Sequence, residues 1–237
     1  MTNYVVRILS FYPHQIDVAR SILTCSTLSK LVFPALLHAS PDSSIHLASA
    51  DQFDFTLVPK EFYADDQSLV NIPLDGENGI AFSSTIYLRE SIVPNVVNLK
   101  FSSELLQAGT ITIADLKALF ADVIPAFQAY HASIYDRQSN RRPGGPKYFR
   151  TPSFRSYPIE LGWITYFGPE MIEFLGRERF AELHTCVEKY DLHGGIMVIL
   201  QEEPFCEDNP QHRERQAQAE SELRLSELVS SRRRTSS

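Results

Sequence analysis

The chain has 237 residues, of which 43% are hydrophobic, a composition that fits an ordinary globular protein with a sizeable core. Its formal net charge of -7 argues against nucleic acid as a direct ligand, because binding to phosphates needs a surplus of lysine and arginine. The three cysteines lack metal-ligand or redox spacing and favour reduced thiols in a cytoplasmic protein. We expect neither a secretion signal nor a membrane span, because no apolar run approaches the roughly 20 residues that a spanning helix needs.

The N-terminal region begins with an apolar strand, predicted over residues 4–9. A helix is predicted to follow from about residue 14 or 17 until Pro34 interrupts it. Residues 51–79 are polar and irregular, with at most one short strand over residues 53–58. A segment of this kind is where a binding protein often places contacts to its partner.

The middle of the chain contains two β-rich runs, residues 79–88 and 96–101, which predict an antiparallel pair of strands. Thr112 is predicted to cap a helix whose apolar face continues to Tyr130, and Pro125 should kink or divide this helix. Residues 136–158 form a basic loop with Pro-Gly-Gly-Pro at its centre, where no regular element can persist.

The most informative stretch is residues 161–210. Its first part predicts a buried strand over residues 161–167, which Gly168-Pro169 ends. Pro169 fits the first position of a helix, which Gly176 interrupts and whose apolar face continues to Val187.

The second part of this stretch begins with a tight turn at residues 193–195 that needs positive φ, followed by an apolar strand over residues 196–200. Glu202-Glu203-Pro204 is predicted to end that strand. Asn209 as N-cap and Pro210 at the first helical position open a polar helix that runs to about residue 228.

Several short motifs in this stretch resemble those of the immunity protein 52 family: Gly162-Trp163 with Tyr166, Gly194-Gly195 before an apolar strand, Glu202-Glu203-Pro204-Phe205, and Asp208-Asn209-Pro210 with His212. The resemblance covers roughly the last third of the chain. It implies an antitoxin encoded beside a toxin gene in a polymorphic-toxin or type VI secretion system, with a nuclease as the frequent partner. Six residues of these motifs are predicted to have structural roles: Gly162, Trp163, Tyr166, Gly194, Gly195 and Pro204.

Charge is distributed unevenly along the chain. Residues 51–77 contain seven acids and one base, whereas residues 137–155 contain six bases and no acid. One interpretation is a solvated acidic face balanced by a basic loop. The functional interpretation is that the acidic segment meets a basic partner and speeds the encounter, with contacts from Asp65, Asp66, Asp75 and Glu77.

The sequence contains no nucleophile elbow, phosphate-binding loop, dinucleotide fingerprint or zinc-protease motif. His184, Cys186 and His193 are closely spaced, but packing and surface roles suit them better than metal binding or catalysis. Glu202 and Glu203 are adjacent on a predicted strand and would point to opposite faces. We therefore predict no catalytic, cofactor-binding or metal-binding residue and no cofactor.

The predicted architecture is a single α+β domain over residues 1–229, with a mixed, largely antiparallel sheet and helices packed mainly on one face. Residues 230–237 are predicted to be a disordered tail. The predicted function is that of a cytoplasmic immunity protein, not an enzyme, which binds and neutralises the toxin encoded by the adjacent gene. It would contact neither nucleic acid nor a membrane directly. Three alternatives stay open: a homodimer, a hydrolase with a His and carboxylate site assembled by the fold, and a structural adaptor.

Overall fold

The computed structural model describes residues 2–12, 18–40, 43–58, 60–63, 69–88, 91, 93–138, 148–150 and 156–230. Within these residues, the protein has an α+β fold that combines a large antiparallel sheet with eight α-helices, which confirms the predicted fold class. The chain divides into two compact units, residues 3–132 and 133–237. The single domain over residues 1–229 stays a prediction. None of the helices in the described part of the chain is both long and apolar enough to cross a bilayer.

Among its described residues, the first unit contains six strands: β1 (Asn3–Ser10), β2 (Ala35–Ser40), β3 (Ser43–Leu47), β4 (Leu69–Gly76), β5 (Ala81–Tyr87) and β6 (Asn95–Ser102). Their order in the sheet is β1-β6-β5-β4-β2-β3. The described part of this unit also contains four α-helices: α1 (Val18–Leu23), α2 (Ser26–Val32), α3 (Ser103–Gln107) and α4 (Ile113–Phe127).

Helices of the first unit cover one face of its sheet. Along β4, Val70, Ile72 and Leu74 are buried while the residues between them are exposed or half-buried, and β5 and β6 alternate in the same way. Side chains alternate between the two faces of a strand, so one face is apolar and covered. Helices α1, α2 and α4 pack against one another, and α2 packs against β4. The result agrees with the predicted placement of helices on one face.

The predicted elements of the first unit are partly correct. Strand β1 and the antiparallel pair β5 and β6 are confirmed. The predicted helix before Pro34 is broken at residues 24–25 into α1 and α2. The strand predicted over residues 53–58 is wrong, because this segment forms short 3₁₀ turns at residues 50–52 and 55–57.

Strand β4 lies within a segment predicted to be irregular, a prediction to which Pro73 contributed. Strand β2 pairs with β4 only from Leu74 to Gly76, so Pro73 lies just outside that ladder and costs it no hydrogen bond.

Helix α4 begins as predicted, because Thr112 and Asp115 form a reciprocal capping box. Pro125 lies in its last turn and does not divide it, and the left-handed Gln128 ends it. Tyr130 lies beyond the helix, where its side chain stacks on Phe11. The predicted helical face was therefore too long.

Strand β7 (His131–Asp136) crosses the boundary between the two units and was not predicted. The second unit continues with β8 (Tyr148–Arg150), β9 (Ser156–Pro158), β10 (Ile164–Phe167), β11 (Glu188–Leu192) and β12 (Gly195–Ile199). Its strands follow the order β11-β12-β10-β7, and β8 and β9 form a separate pair. Its helices are α5 (Pro169–Leu175), α6 (Arg177–Ala181), α7 (Pro210–Glu222) and α8 (Leu225–Ser230).

The second unit confirms the predicted strand before Gly168, the pause at Gly176 and the cap at Asn209. The helical face predicted to reach Val187 is wrong: α6 ends at Ala181, and Val187 is 46% exposed. A charged strand, β11, occupies part of that segment, and its polar pattern hid it from a search for apolar periodicity.

The C-terminal helix is interrupted at Arg224, which has a positive φ, so α7 and α8 replace one predicted helix. In the predicted basic loop, β8 and β9 form regular structure, while its Pro-Gly-Gly-Pro centre lies outside the described residues. The predicted tail lies outside them from residue 231 onward.

Candidate functional site

The first unit has a sheet face that its described helices leave uncovered, here called the open face. It consists of outward side chains of the three central strands, β4, β5 and β6. All of them are exposed or half-buried: Asn71, Pro73, Asp75, Ser83, Thr85, Tyr87, Val96, Asn98 and Lys100. The register aligns them in rows, such as Pro73 with Ser83 and Asn98. Most are short polar side chains, so the open face is a polar platform rather than an apolar groove.

Hydrogen bonds between side chains hold parts of the open face in place. The Thr85 hydroxyl donates to Oδ1 of Asn71 at 2.7 Å, across the pair that β4 and β5 form. Nε of Arg7 donates to Oδ1 of Asn98 at 3.4 Å, across the pair that β1 and β6 form. Side chains fixed in this way lose less conformational entropy when a partner binds.

Two of the four predicted partner contacts lie at one end of the open face. Asp75 is exposed near the end of β4, and Glu77 is exposed in the turn between β4 and β5. The Glu77 carboxylate lies 2.8 Å from Nε2 of His46, and its backbone N–H donates to the Pro34 carbonyl at 3.0 Å. Asp65 and Asp66 lie outside the described residues.

The turn that carries Glu77 is anchored to the body of the first unit. The Asn78 side chain donates to the Leu31 carbonyl at 2.6 Å and accepts from the Ile80 backbone at 3.1 Å. Gly79 has a φ of +82, a left-handed conformation that favours glycine. The acidic end of the open face is therefore held on a well-defined hairpin, although the sequence predicted an irregular segment there.

Two large apolar side chains stand exposed at the opposite end of the central strands. Tyr12 is 55% exposed and Val93 is 49% exposed. Asn95 connects the backbones of Tyr12 and Tyr87 at this end, because its side chain donates to the Tyr12 carbonyl at 2.7 Å and accepts from the Tyr87 backbone N–H at 2.5 Å. Exposed apolar side chains beside a fixed polar platform are typical of protein-binding surfaces.

The two units differ in charge. The sequence of residues 3–132 contains seven lysines and arginines and thirteen aspartates and glutamates, an excess of six negative charges. Residues 133–237 contain fifteen and sixteen, an excess of one. Almost the whole negative surplus of the chain therefore belongs to the first unit.

Three of the residues predicted to be structural lie together in the second unit. The Trp163 side chain is fully buried, and its indole N–H donates to the Gln201 carbonyl at 2.9 Å. Gly162 has no room for a side chain, because a Cβ there would overlap the Ile134 carbonyl. Tyr166 is buried, and burial raises the pKa of its phenol to about 12.

The other three structural predictions flank strand β12. Gly194 has a φ of +77 in the turn that joins β11 to β12, and His193 before it has a φ of 47. Gly195 lies against Phe167 and Tyr166, which leave no space for a Cβ. Pro204 is half-buried and lies after the strand has already ended at Ile199. The residues Glu202 and Glu203 therefore follow β12 in a bend rather than capping it.

Sequence reasoning missed a second acidic surface, here called the acidic loop, which consists of Glu202, Glu203, Glu207 and Asp208. The buried Asp136 carboxylate holds this loop by accepting from the Glu207 backbone at 3.0 Å. The Gln201 side chain donates to the Glu203 carbonyl at 3.0 Å. The four acids were visible in the sequence, but the carboxylate that positions them lies about 70 residues away, at the end of an unpredicted strand.

The residues considered for catalysis do not converge. His184 is exposed, and its backbone N–H, rather than its ring, binds the Glu222 carboxylate at 2.8 Å. Burial, with the nearby Glu222 charge, raises the pKa of the Cys186 thiol, which disfavours a thiolate. His193 is exposed in the β11 to β12 turn. No three His, Cys, Asp or Glu side chains in the described ranges are arranged to hold a metal ion.

The fold and the open face define an α+β protein with a polar, acid-rimmed sheet surface. A solved structure of similar fold is that of the Pseudomonas aeruginosa T6SS protein PA0821, with a TM-score of 0.63 and 12% sequence identity. The match covers 95% of this chain and 73% of that chain. At this identity the similarity shows the fold alone. No protein-family model and no curated protein match the sequence, so membership of the immunity protein 52 family is not shown.

Proposed function

We propose that this protein is a cytoplasmic immunity protein of a type VI secretion system, which neutralises a cognate toxin by binding it without catalysis. The observation that carries the proposal is the likeness of almost the whole chain, 95% of its length, to the fold of a T6SS protein. The resemblance of residues 162–212 to the immunity protein 52 family points to the same class of system. A nuclease toxin encoded by the adjacent gene is the proposed partner.

The charge of the first unit supports binding to a basic protein. An excess of six negative charges on residues 3–132 creates a field that attracts a positively charged surface and raises the association rate. Nuclease domains carry positive surfaces because they bind phosphates. An acidic binding protein therefore suits a nuclease partner better than a neutral one would.

The test is co-expression of the full chain with the product of the adjacent gene in a bacterial host. We expect survival when both proteins are present, death when the toxin is expressed alone, and co-purification of a stable complex. An unrelated acidic protein of similar size and charge is the matched control for rescue by charge alone. Death in the presence of the folded chain, with no complex, would contradict the proposal.

A further inference from the structure

We propose that the open face is the surface on which the partner protein docks, together with Asp75 and Glu77 at one end of it, here called the acidic rim, and the exposed Tyr12 and Val93 at the other end of the strands. The inference rests on the proposed function and names the site and the chemistry of its occupant. The occupant is a basic protein surface that presents lysine or arginine to Asp75 and Glu77 and an apolar recess to Tyr12 and Val93.

No described element of the first unit covers the outward side of the three central strands. Ser83, Thr85 and Asn98 are half-buried at the middle of the open face, whereas the residues next to them in the chain, such as Ser84 and Val97, are buried on the opposite side. Short side chains on a sheet let the surface of another protein approach closely. The hydrogen bond between Thr85 and Asn71 fixes two of them before binding.

Acidic and apolar side chains lie at opposite ends of the three central strands. Asp75 lies at one end of β4, and residue 69 at the other end pairs with Tyr87, six residues and about 20 Å away. Tyr87 is joined to the exposed Tyr12 through Asn95, whose side chain is buried on the covered face of the sheet. Tyr12 therefore lies at the end of the central strands, and a partner that spans the open face and reaches past this end would meet an acidic rim and an apolar anchor together, as in protein interfaces where a few anchors dominate affinity.

Charge disfavours a second copy of the chain as the occupant. Each first unit carries an excess of six negative charges, spread over residues 3–132 as a whole, and this like charge opposes the association of two copies. Lys100 lies on the open face two strands away from Asp75 and is the one described basic side chain among its nine members. A basic partner brings opposite charge to the acidic rim and avoids this repulsion.

The test measures affinity between the full chain and the product of the adjacent gene, made harmless by substitution of its own active site. Ser83→Arg places a long side chain at the centre of the open face and should weaken binding by about 100-fold or more. Tyr12→Ala combined with Val93→Ala removes the apolar anchor and tests the same surface with exposed residues only. Melting temperatures identify any variant that fails to fold.

Two further variants distinguish this surface from other acidic parts of the molecule. Asp75→Lys with Glu77→Lys should slow association, whereas Glu173→Lys with Glu214→Lys, exposed on α5 and α7, changes the net charge equally and should change association less. Full affinity of the open-face variants, with loss of affinity when Glu202 and Glu203 are reversed, would place docking on the acidic loop and overturn the inference.

The remaining outcomes are also decisive. If the wild-type chain does not bind the adjacent gene product at all, the proposed function fails, and this inference fails with it. If the wild type is a dimer that Ser83→Arg converts to a monomer with unchanged partner binding, the open face is an interface between copies. Partner binding lost in the open-face variants, with an unchanged monomeric state, is the result we expect.

Discussion

At the scale of single residues, Trp163 connects three parts of the second unit. Its backbone N–H donates to the Ile134 carbonyl at 2.7 Å, its carbonyl accepts from Leu200 at 2.9 Å, and its indole binds the Gln201 carbonyl. One buried residue thus holds β7, the end of β12 and the start of the acidic loop. The resemblance and the buried strand predicted over residues 161–167 both include this residue, but its partners could not be read from the sequence.

Replacement of Trp163 by phenylalanine should destabilise the protein by about 1–3 kcal/mol, because the buried Gln201 carbonyl loses its donor. Urea denaturation followed by far-UV circular dichroism measures this, since the variant lacks the single tryptophan fluorophore. Val187→Ala, at an exposed position of the same unit, should change stability by less than about 0.5 kcal/mol. Equal stability of the two variants would contradict the role of the indole hydrogen bond.

Glu222 provides a test that depends on pH. Burial by itself would raise the pKa of this carboxyl, but hydrogen bonds from Thr185, the His184 backbone and Gln218 outweigh it and lower the pKa to about 2. A lowered pKa means that the folded state stabilises the carboxylate. This stabilisation is complete above the ordinary glutamate pKa of 4.5 and is lost as the pH falls towards 2.

The stability difference between the wild type and Glu222→Gln should therefore be largest near neutral pH and should shrink as the pH falls from about 5 to 3. Urea denaturation at a series of pH values measures this difference. Thr185→Val, which removes a donor to the same carboxylate, should raise the pKa of Glu222 in an NMR titration. A pH-independent difference together with an unshifted pKa would show that the carboxylate does not cap residues 184–185.

At the scale of elements, the hairpin of β11 and β12 shows two different reasons for adjacent glycines. Gly194 adopts a left-handed conformation, with open space except for Pro169 at 3.4 Å from a Cβ. Gly195 has no unusual φ but lies directly against the Phe167 carbonyl and the Tyr166 ring. Gly194 is required by the local backbone conformation, whereas Gly195 is required by the close contact between neighbouring strands.

Alanine substitutions should separate these two demands. Gly194→Ala should cost about 1 kcal/mol, because alanine disfavours the left-handed conformation. Gly195→Ala should cost about 3 kcal/mol, because backbone and ring atoms must move to admit the methyl group. Thermal unfolding of both variants measures the difference, and a larger loss for Gly194→Ala would show that β10 and β12 adapt more easily than the turn.

At the scale of the whole molecule, charge should act on the rate of association more than on stability. Reversal of Asp65, Asp66, Asp75 and Glu77 together should slow association with the partner about 10-fold at low salt and leave the melting temperature unchanged. Stopped-flow measurements over a range of ionic strength detect this effect, which should fade as salt screens the charges. Unchanged association at low salt would remove the acidic segment from the encounter.

Stability should tolerate these reversals because the described members of the set lie at the surface. The pair of Glu77 and His46 is about half-exposed on both sides, and exposed pairs contribute about 0–1 kcal/mol. A marked fall in melting temperature would show instead that these acids support the hairpin between β4 and β5. The prediction thus separates a binding role from a structural one.

The sequence alone determined those features that depend on neighbours along the chain. The Thr112 capping box, the Asn209 cap with Pro210, the pause at Gly176 and the turn at Gly194 all follow from preferences within four residues. The α+β class followed from the mixture of strand-like and helix-like apolar patterns. The acidic character of the N-terminal region was likewise evident from a count of its charged residues.

Only the tertiary structure decided features that depend on distant residues. Strand β4 exists despite Pro73 because that residue pairs with Ser83 of β5 and lies outside the ladder that β4 forms with β2, and β11 exists despite its charges because β12 supplies its hydrogen bonds. The open face and the buried Asp136 that holds the acidic loop join residues far apart in the chain. Pairing and burial at long range overrule local preference, because a strand gains its hydrogen bonds and its packing from other strands rather than from its own sequence.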